Sequence, residues 1–200
     1  MNWTWLGHST FLITNDAGGR LVTDPVDEKS LPDLKRVDAD VITVSHRHHD
    51  HCAVERVGGT PVIKESCEPE TIAGFHIRGF STFHDEVNGT KRGTNTIFVI
   101  EADGQRIVHC GDLGHMPDEA TIAALRGCDA LLLPVGGVYT VDGPAAWTIA
   151  KRIAPKTVVP MHFATSNLTF RLEPVDRFLS AAKADPAPIE IKIPTRNQTE

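Results

Sequence analysis

A chain of 200 residues has the usual length of one domain, and its composition, 40% hydrophobic and 23% charged, excludes collagen-like, coiled-coil and disordered classes. The formal net charge of −6 has the wrong sign for a general binder of nucleic acid or anionic membranes. No stretch offers the roughly 20 apolar residues of a membrane-spanning helix, and the N-terminus lacks a signal-peptide pattern, so we expect a cytoplasmic protein. We expect one domain over residues 1–200, large enough to fold without a structural metal.

The first part of the chain predicts a β-hairpin and then a buried strand. Residues 11–13 and 20–23 flank a turn rich in Asn, Asp and Gly, and the second of these strands leads to Asp24. The β-branched run over 41–44 predicts a buried strand. That strand leads directly into the sequence Ser-His-Arg-His-His-Asp-His over 45–51, which places a dense group of polar side chains just past a strand end.

A second hairpin is predicted further along the chain. Residues 96–101 and 105–109 are joined by Asp103-Gly104, a dipeptide favoured in tight two-residue turns. The chain then continues into Gly111-Asp112. Two hairpins therefore each have a second strand that leads to an aspartate.

The last part of the chain alternates between helical and strand patterns. Residues 118–125, 145–153 and 173–184 carry apolar side chains on one helical face. Between them, the short apolar runs 130–133 and 157–159 predict central strands. One-faced helices beside buried strands indicate helices that cover sheets, so the pattern favours an α/β sandwich of two sheets with helices outside.

Four potential metal ligands lie within six residues: His46, His48, Asp50 and His51. Side chains at positions i and i+2 of an extended segment share a face, so His46 and His48 can bind one ion together. Asp50 and His51 lie further along a turn and can address a second ion nearby. A solvated polar loop is the alternative, but the density of ligands and the polar residues downstream favour a metal site.

This H-x-H-x-D-H motif resembles the signature of the metallo-β-lactamase superfamily of hydrolases. The remaining elements of that signature occur here in order: Asp24, His84, Gly111-Asp112 and His162. The segments 6–9, 134–140 and 160–163 are similar to the branch that contains L-ascorbate-6-phosphate lactonase. The resemblance implies an αββα fold, with two mixed sheets packed face to face and helices outside.

The resemblance also implies a dinuclear metal site. One ion would be held by His46, His48 and His84, the other by Asp50, His51 and His162, and Asp112 would bridge the two. Mixed imidazole and carboxylate ligands suit Zn²⁺, with Mn²⁺ or Fe²⁺ as alternatives. Two ions roughly 3.5 to 4 Å apart would share a water, lower its pKa and supply hydroxide for attack on a carbonyl or phosphorus centre. Asp50 and Asp112 would then be the catalytic carboxylates.

The third histidine of the first ion is the least clearly marked, because His76 and His109 compete with His84 for that role. By resemblance, Asp24 would orient the ligands by hydrogen bonds, with a cap of the Asp24-Pro25 turn as the alternative. His8 is a second candidate beside the site, with a structural histidine near the chain start as the alternative. Four residues are candidate substrate contacts: Lys91, Arg92, Tyr139 and Thr140. The two cations could bind a phosphate or carboxylate of the substrate, or they could be solvated residues of the segment that leads into the second hairpin.

These features predict a metal-dependent hydrolase of a small anionic ester, lactone or phosphoester. Two alternatives stay open, a metal-dependent nuclease or RNA-processing protein, which the negative net charge disfavours, and a non-catalytic metal-binding module. The expected partner is a small molecule rather than nucleic acid or a membrane, and a homo-oligomer is compatible with the sequence. Substrate identity depends on loop geometry that the sequence does not fix.

Overall fold

The computed structural model describes residues 1–196, which form two mixed β-sheets. The strands are β1 (Asn2–Gly7), β2 (Thr10–Thr14), β3 (Arg20–Thr23), β4 (Val41–Thr43), β5 (Val62–Lys64), β6 (Glu70–Ile72), β7 (Phe75–Phe83), β8 (Thr94–Ala102), β9 (Gln105–His109), β10 (Ala130–Pro134), β11 (Thr157–Met161) and β12 (Glu190–Ile191). The smaller sheet has the order β1-β2-β3-β4-β5, and the larger has the order β12-β11-β10-β9-β8-β7-β6. The helices are α1 (Glu119–Leu125), α2 (Gly143–Ile153) and α3 (Asp176–Ala184), with a 3₁₀-helix at Val54–Arg56.

Both predicted hairpins are confirmed. Strands β2 and β3 pair antiparallel with Phe11 opposite Thr23, and β8 and β9 pair antiparallel with Ala102 opposite Gln105. Asp103 and Gly104 have φ angles of 53° and 69°. Two successive left-handed residues give the tight turn whose twist matches the flanking strands.

The three helices begin with different signals. The Asp118 side chain accepts the Thr121 N–H at the start of α1, and the Asp142 side chain accepts the Ala145 N–H at the start of α2. Helix α3 begins at Asp176, three residues later than predicted. Glu173 precedes a proline, which disfavours helical backbone, and its N–H instead donates to the Gly136 carbonyl at 2.8 Å.

The main apolar core joins the two sheets, as the predicted sandwich requires. Phe11 and Leu21 of the smaller sheet belong to the same buried cluster as Ile77 and Phe98 of the larger sheet. Helix α2 packs between α1 and α3 and contacts β10. The αββα class is therefore confirmed, although the layer over the smaller sheet consists of the 3₁₀-helix and loop residues packed on Val22 and neighbouring apolar side chains. No helix within residues 1–196 has the length and apolar character needed to cross a membrane.

Truncation of Ile100 in β8 should show how much of the stability comes from this core. Ile100 has 0% exposure, so Ile100→Ala is expected to lower the free energy of unfolding by about 2–5 kcal/mol through lost burial and a residual cavity. Ile63 on the edge strand β5 is 47% exposed, and Ile63→Ala is the matched control, with an effect within about 0.5 kcal/mol. Chemical denaturation of both variants measures the difference, and equal losses would contradict the assigned core.

Candidate metal centre

Side chains from both sheets meet where several strands end. In the smaller sheet β3 and β4 run parallel, and in the larger sheet β9, β10 and β11 run parallel. The carboxyl ends of parallel strands lie at one edge of a sheet, which is where ligands commonly bind in α/β folds. Asp24 follows β3, the segment containing His46 follows β4, Asp112 follows β9 and His162 follows β11. Residues far apart in the sequence therefore converge at this edge.

The first cluster contains His46, His48 and His84, whose candidate ligand nitrogens lie within 4.8 Å of one another. His84 occupies this position because it follows the last residue of β7. The two competing histidines lie elsewhere: His76 is exposed on β7 beside the Thr71 hydroxyl, and buried His109 has its Nε2 2.9 Å from the Ser9 carbonyl. The structure therefore groups the three histidines that the resemblance implied.

The second cluster contains Asp50, His51 and His162, together with His8. Their candidate ligand atoms also lie within 4.8 Å of one another. His8 joins this group through its Nε2, which is 3.2 Å from Asp50 Oδ2. His8 therefore contacts the carboxylate of a candidate ligand, as a residue that orients this ligand would do.

Asp112 lies between the two clusters and is almost fully buried. Its Oδ2 is 3.1 Å from His84 Nε2 of the first cluster and 3.2 Å from His162 Nε2 of the second. Its Oδ1 is 3.2 Å from His51 Nε2. One carboxylate thus touches imidazoles of both groups, which is the geometry expected of a bridging ligand.

The polar atoms of this centre fit divalent metal ions. Several buried atoms of this centre make no well-aligned hydrogen bond with the described residues, among them the Nε2 atoms of His46, His51 and His162, and Oδ1 of Asp112. Buried polar atoms are almost always paired, because an unpaired one keeps its full desolvation cost. Imidazole nitrogens and carboxylate oxygens are the ligands that Zn²⁺, Mn²⁺ and Fe²⁺ accept, so bound cations would satisfy these atoms.

The electrostatics of the centre also favour cations. Burial opposes ionisation of Asp112, yet the neighbouring His162 and His51 hold the pKa of this carboxyl well below its ordinary value. Burial likewise opposes a charge on His51, but Asp112, Asp24 and Asp50 raise the pKa of His51 well above its ordinary value. Burial, aided by His51, lowers the pKa of His46 to about 3, which leaves a neutral imidazole able to donate a lone pair. The buried carboxylates of Asp24 and Asp112, whose pKa values are both lowered, therefore place negative charge beside the candidate ligands.

Asp24 connects these ligands to the protein behind them. Its Oδ1 accepts the Ser45 N–H at 2.8 Å, and its Oδ2 accepts the Ser45 hydroxyl at 2.5 Å. The same Oδ2 is 2.9 Å from His51 Nδ1. Asp24 lies in the place required of the predicted orienting carboxylate, directly behind a candidate ligand.

The backbone is strained at three residues of this site. His8, Asp24 and His162 have φ angles of 53°, 35° and 52°, in the left-handed region that residues with a Cβ rarely adopt. Such conformations cost on the order of 1–3 kcal/mol each and persist where the surrounding structure fixes them, as at functional sites. Their concentration around one centre supports a role beyond packing.

A family model described as the β-lactamase superfamily domain matches residues 2–162. This span covers most of the chain and includes all seven candidate ligands. The chain belongs to the metallo-β-lactamase superfamily.

Relatives of this superfamily member are metal-dependent hydrolases by name. A UPF0173 metal-dependent hydrolase from Methanoculleus marisnigri is 34% identical, with 82% of each chain covered. Another from Pelotomaculum thermopropionicum is 32% identical, with 96% of each chain covered. A solved structure from Thermotoga maritima, a proposed Zn-dependent hydrolase of the metallo-β-lactamase superfamily, is 32% identical and covers 96% of both chains with a TM-score of 0.77. The chain is thus a metal-dependent hydrolase of this superfamily.

A cavity of about 480 Å³ lies over the metal centre of this hydrolase. Its floor contains His48, Asp50, His84, Asp112 and His162. Its walls contain Lys29, Ser30, His49, Arg92, Tyr139, Thr169 and Phe170. The candidate ligands are therefore accessible to a small molecule from this side.

Two of the four predicted substrate contacts line the cavity, and two lie outside it. Arg92 and Tyr139 are wall residues. Lys91 forms an ion pair with Glu86, and both side chains are exposed. The Thr140 hydroxyl donates to the Val141 carbonyl at 3.2 Å. The structure therefore leaves Arg92 and Tyr139 as the candidates in position to touch a substrate.

Sequence patterns did not reveal Lys29 and Phe170, which lie on two separate loops. The loops are joined by the Thr169 N–H, which donates to the Ser30 carbonyl at 3.1 Å, and by the Thr169 hydroxyl, which donates to the Lys29 carbonyl at 2.8 Å. Neither loop carries a motif, and their contact spans about two thirds of the chain. No local signal in the sequence could have identified this wall.

Gly111, the residue before Asp112, should be intolerant of a side chain. Its φ is +53°, and a Cβ there would lie 2.3 Å from Asn95 Oδ1 and 2.6 Å from Ser45 Cβ. Gly111→Ala is expected to lower the free energy of unfolding by about 2 kcal/mol or more, from backbone strain and crowding together. Gly104→Ala is the matched control, because φ there is +69° but nothing lies within 4 Å of the added Cβ. Denaturation curves should show the larger loss at Gly111, and equal losses would argue against crowding beside Asp112.

Proposed function

We propose that this protein is a dinuclear metal-dependent hydrolase that cleaves a small, anionic ester, lactone or phosphoester. The observation that carries the proposal is the position of Asp112, whose carboxylate contacts imidazoles of both clusters. One ion would be held by His46, His48 and His84, and the other would be held by Asp50, His51 and His162. Zn²⁺ is the preferred metal, with Mn²⁺ or Fe²⁺ as alternatives, on the basis of the mixed nitrogen and oxygen ligands.

Two divalent ions bound there would supply a hydroxide nucleophile at neutral pH and polarise the bond to be cleaved. The chain's own residues set the conditions for that chemistry. Asp112 stays ionised because His162 and His51 lower its pKa despite burial. Asp50 also stays ionised, because hydrogen bonding and charge from His51, helped by His8, lower its pKa against the effect of burial. Both carboxylates are therefore available as ligands at neutral pH.

The size of the cavity supports a small substrate. A volume of about 480 Å³ falls within the range of pockets that bind small molecules, roughly 300–1,000 Å³. Its cationic wall residues, Lys29 and Arg92, favour an anionic substrate. The lactonase-like branch is one form of this proposal, in which the ester bond is internal to a ring.

Metal analysis and a substrate screen test the proposed function together. We expect the protein reconstituted with Zn²⁺ to bind two equivalents and to hydrolyse members of a panel of aryl esters, lactones and phosphodiesters. His48→Ala should lose both an equivalent of metal and activity, whereas His76→Ala, at the exposed strand histidine, should keep both. Fewer than one equivalent of any transition metal, or activity unchanged in His48→Ala, would overturn the proposal.

A further inference from the structure

Arg92 is a cation at the wall of the cavity. Its guanidinium donates one hydrogen bond, to the Val138 carbonyl at 3.1 Å, and lies 5.8 Å from the centre of the Tyr139 ring. Within residues 1–196 it forms no ion pair, since the nearby Glu86 pairs with Lys91. A guanidinium has five N–H donors, so most of those of Arg92 are left for a ligand.

The loop that carries Arg92 is held in place by one buried carboxylate. Asp85 accepts backbone N–H groups of Val87, Gly89, Lys91 and Arg92 at 2.7–2.9 Å. These four bonds fix the backbone of Arg92 before any ligand arrives. Binding at a cation whose backbone is already fixed requires less ordering of the loop and therefore costs less conformational entropy.

A second unpaired cation lines the cavity on the wall formed by the two joined loops. Lys29 forms no ion pair within the described part of the chain, and its carbonyl is anchored by the Thr169 hydroxyl at 2.8 Å. The chain as a whole has a net charge of −6, so two cations that form no ion pair among residues 1–196 run against its general charge at this place. Their placement favours a negatively charged group in the cavity.

Next to these cations, the wall is apolar and aromatic. The rings of Tyr139 and Phe170 lie 6.2 Å apart between centres, and Phe170 packs edge-on against His8 at 5.4 Å. Tyr139 is nevertheless 41% exposed, so part of its side chain remains open to a ligand. Aromatic rings of this kind pack well against another ring or an apolar group.

We propose that the substrate carries a permanent carboxylate or phosphate, separate from the bond that is cleaved, and an aromatic or other apolar group. Arg92, with Lys29, binds the anionic group, while Tyr139 and Phe170 contact the apolar group. This assignment rests on the proposed hydrolase function and narrows its substrates to amphipathic anions. Arg92 is then the residue that determines specificity, and Lys91, beside it in the sequence, is not.

A pair of esters with the same acetyl group tests this assignment. 4-Acetoxybenzoate carries a carboxylate, and 4-acetoxybenzamide is the neutral counterpart, which has no second ester bond. The quantity compared is the ratio of kcat/KM for the anionic ester to kcat/KM for the neutral ester. We expect Arg92→Met to lower this ratio by about tenfold or more, because one charge-assisted hydrogen bond is lost. The change should arise mainly from a higher KM for the anionic ester. The two esters have leaving groups of different reactivity, but this difference is the same for every variant and cancels when the ratio is compared between variants. Lys91→Met is the matched control and should keep the ratio within about threefold, as expected for an exposed ion pair.

A binding measurement separates this assignment from the hydrolase function itself. The dissociation constant of benzoate for the protein without added metal, measured by calorimetry, should rise in Arg92→Met and stay unchanged in Lys91→Met. Phe170→Ala should weaken the binding of benzoate and raise KM for both esters. If wild-type protein loaded with metal hydrolyses neither ester, the hydrolase proposal fails for these substrates, but benzoate binding still decides the role of Arg92. Equal effects of Arg92→Met and Lys91→Met, or no effect of either, would overturn the assignment.

Discussion

Asp112→Asn is expected to reduce the metal content from two equivalents to about one and to lower kcat by about 10³-fold, which corresponds to about 4 kcal/mol of lost transition-state stabilisation. The carboxylate contacts His84, His162 and His51, so it is in reach of both proposed ions. The amide keeps the shape but removes the negative charge, and it turns an N–H₂ group towards imidazole nitrogens that should ligate. The measurements are metal analysis after dialysis and steady-state hydrolysis.

Asp16→Asn makes the same chemical change at an exposed turn and is the control for that experiment. It should leave metal content and kcat unchanged. If Asp112→Asn kept two equivalents of metal, the bridging role would be wrong, even if its activity fell. If it kept full activity with one equivalent, the chemistry would need a single ion.

The sequence predicted the grouping of the candidate ligands better than the cavity above them, for a physical reason. His46, His48, Asp50 and His51 are close in the chain, and their spacing alone places them at the end of a strand. Asp-Gly at 103–104 likewise fixed the second hairpin through a local preference for left-handed backbone. His84 and His162 depend on how β7 and β11 lie in the larger sheet, and were assigned by resemblance rather than by spacing.

The wall of the cavity depended on contacts that no local pattern encodes. Lys29 and Phe170 are neighbours only because two loops are joined at Thr169. Lys91 and Arg92 are adjacent cations, but their side chains diverge, one to Glu86 and the other to the cavity. The start of α3 shows the same limit. The helical periodicity of the sequence includes Glu173, but the Glu173 N–H donates to the Gly136 carbonyl, a contact distant in the sequence.

Asp24 is expected to control ligands of both proposed ions, although His51 is the candidate ligand that it contacts directly. The single hydroxyl hydrogen of Ser45 is donated to Asp24 Oδ2, so the Ser45 oxygen can only accept from His46 Nδ1, 2.9 Å away. That places the hydrogen of His46 on Nδ1 and leaves a lone pair on Nε2. His51 Nδ1 lies 2.9 Å from the same Asp24 oxygen and donates to it directly. One carboxylate therefore fixes the orientation of one imidazole in each cluster.

Asp24→Asn should consequently weaken binding of both ions by about 10–100-fold, the usual effect of losing a group that orients a metal ligand. An amide nitrogen at the Oδ2 position accepts no hydrogen from Ser45 or His51, and the reversed amide would turn it against the Ser45 N–H, which is also a donor. His51 is then released to place its hydrogen on Nε2, where it blocks ligation. Removing one partner of a fully buried pair should also lower the free energy of unfolding by about 3 kcal/mol. Titration against a chromophoric chelator and chemical denaturation measure the two effects.

Ser45→Ala distinguishes control through orientation from a general loss of structure. It breaks the connection to His46 but leaves His51 and the Ser45 N–H bonded to Asp24. The protein should therefore bind the ion proposed for His46, His48 and His84 more weakly, with less change at the other proposed ion. The loss of stability should be smaller than in Asp24→Asn. Equal weakening of both ions in Ser45→Ala would mean that Asp24 acts by holding the fold together, because the two imidazoles would then not be under separate control.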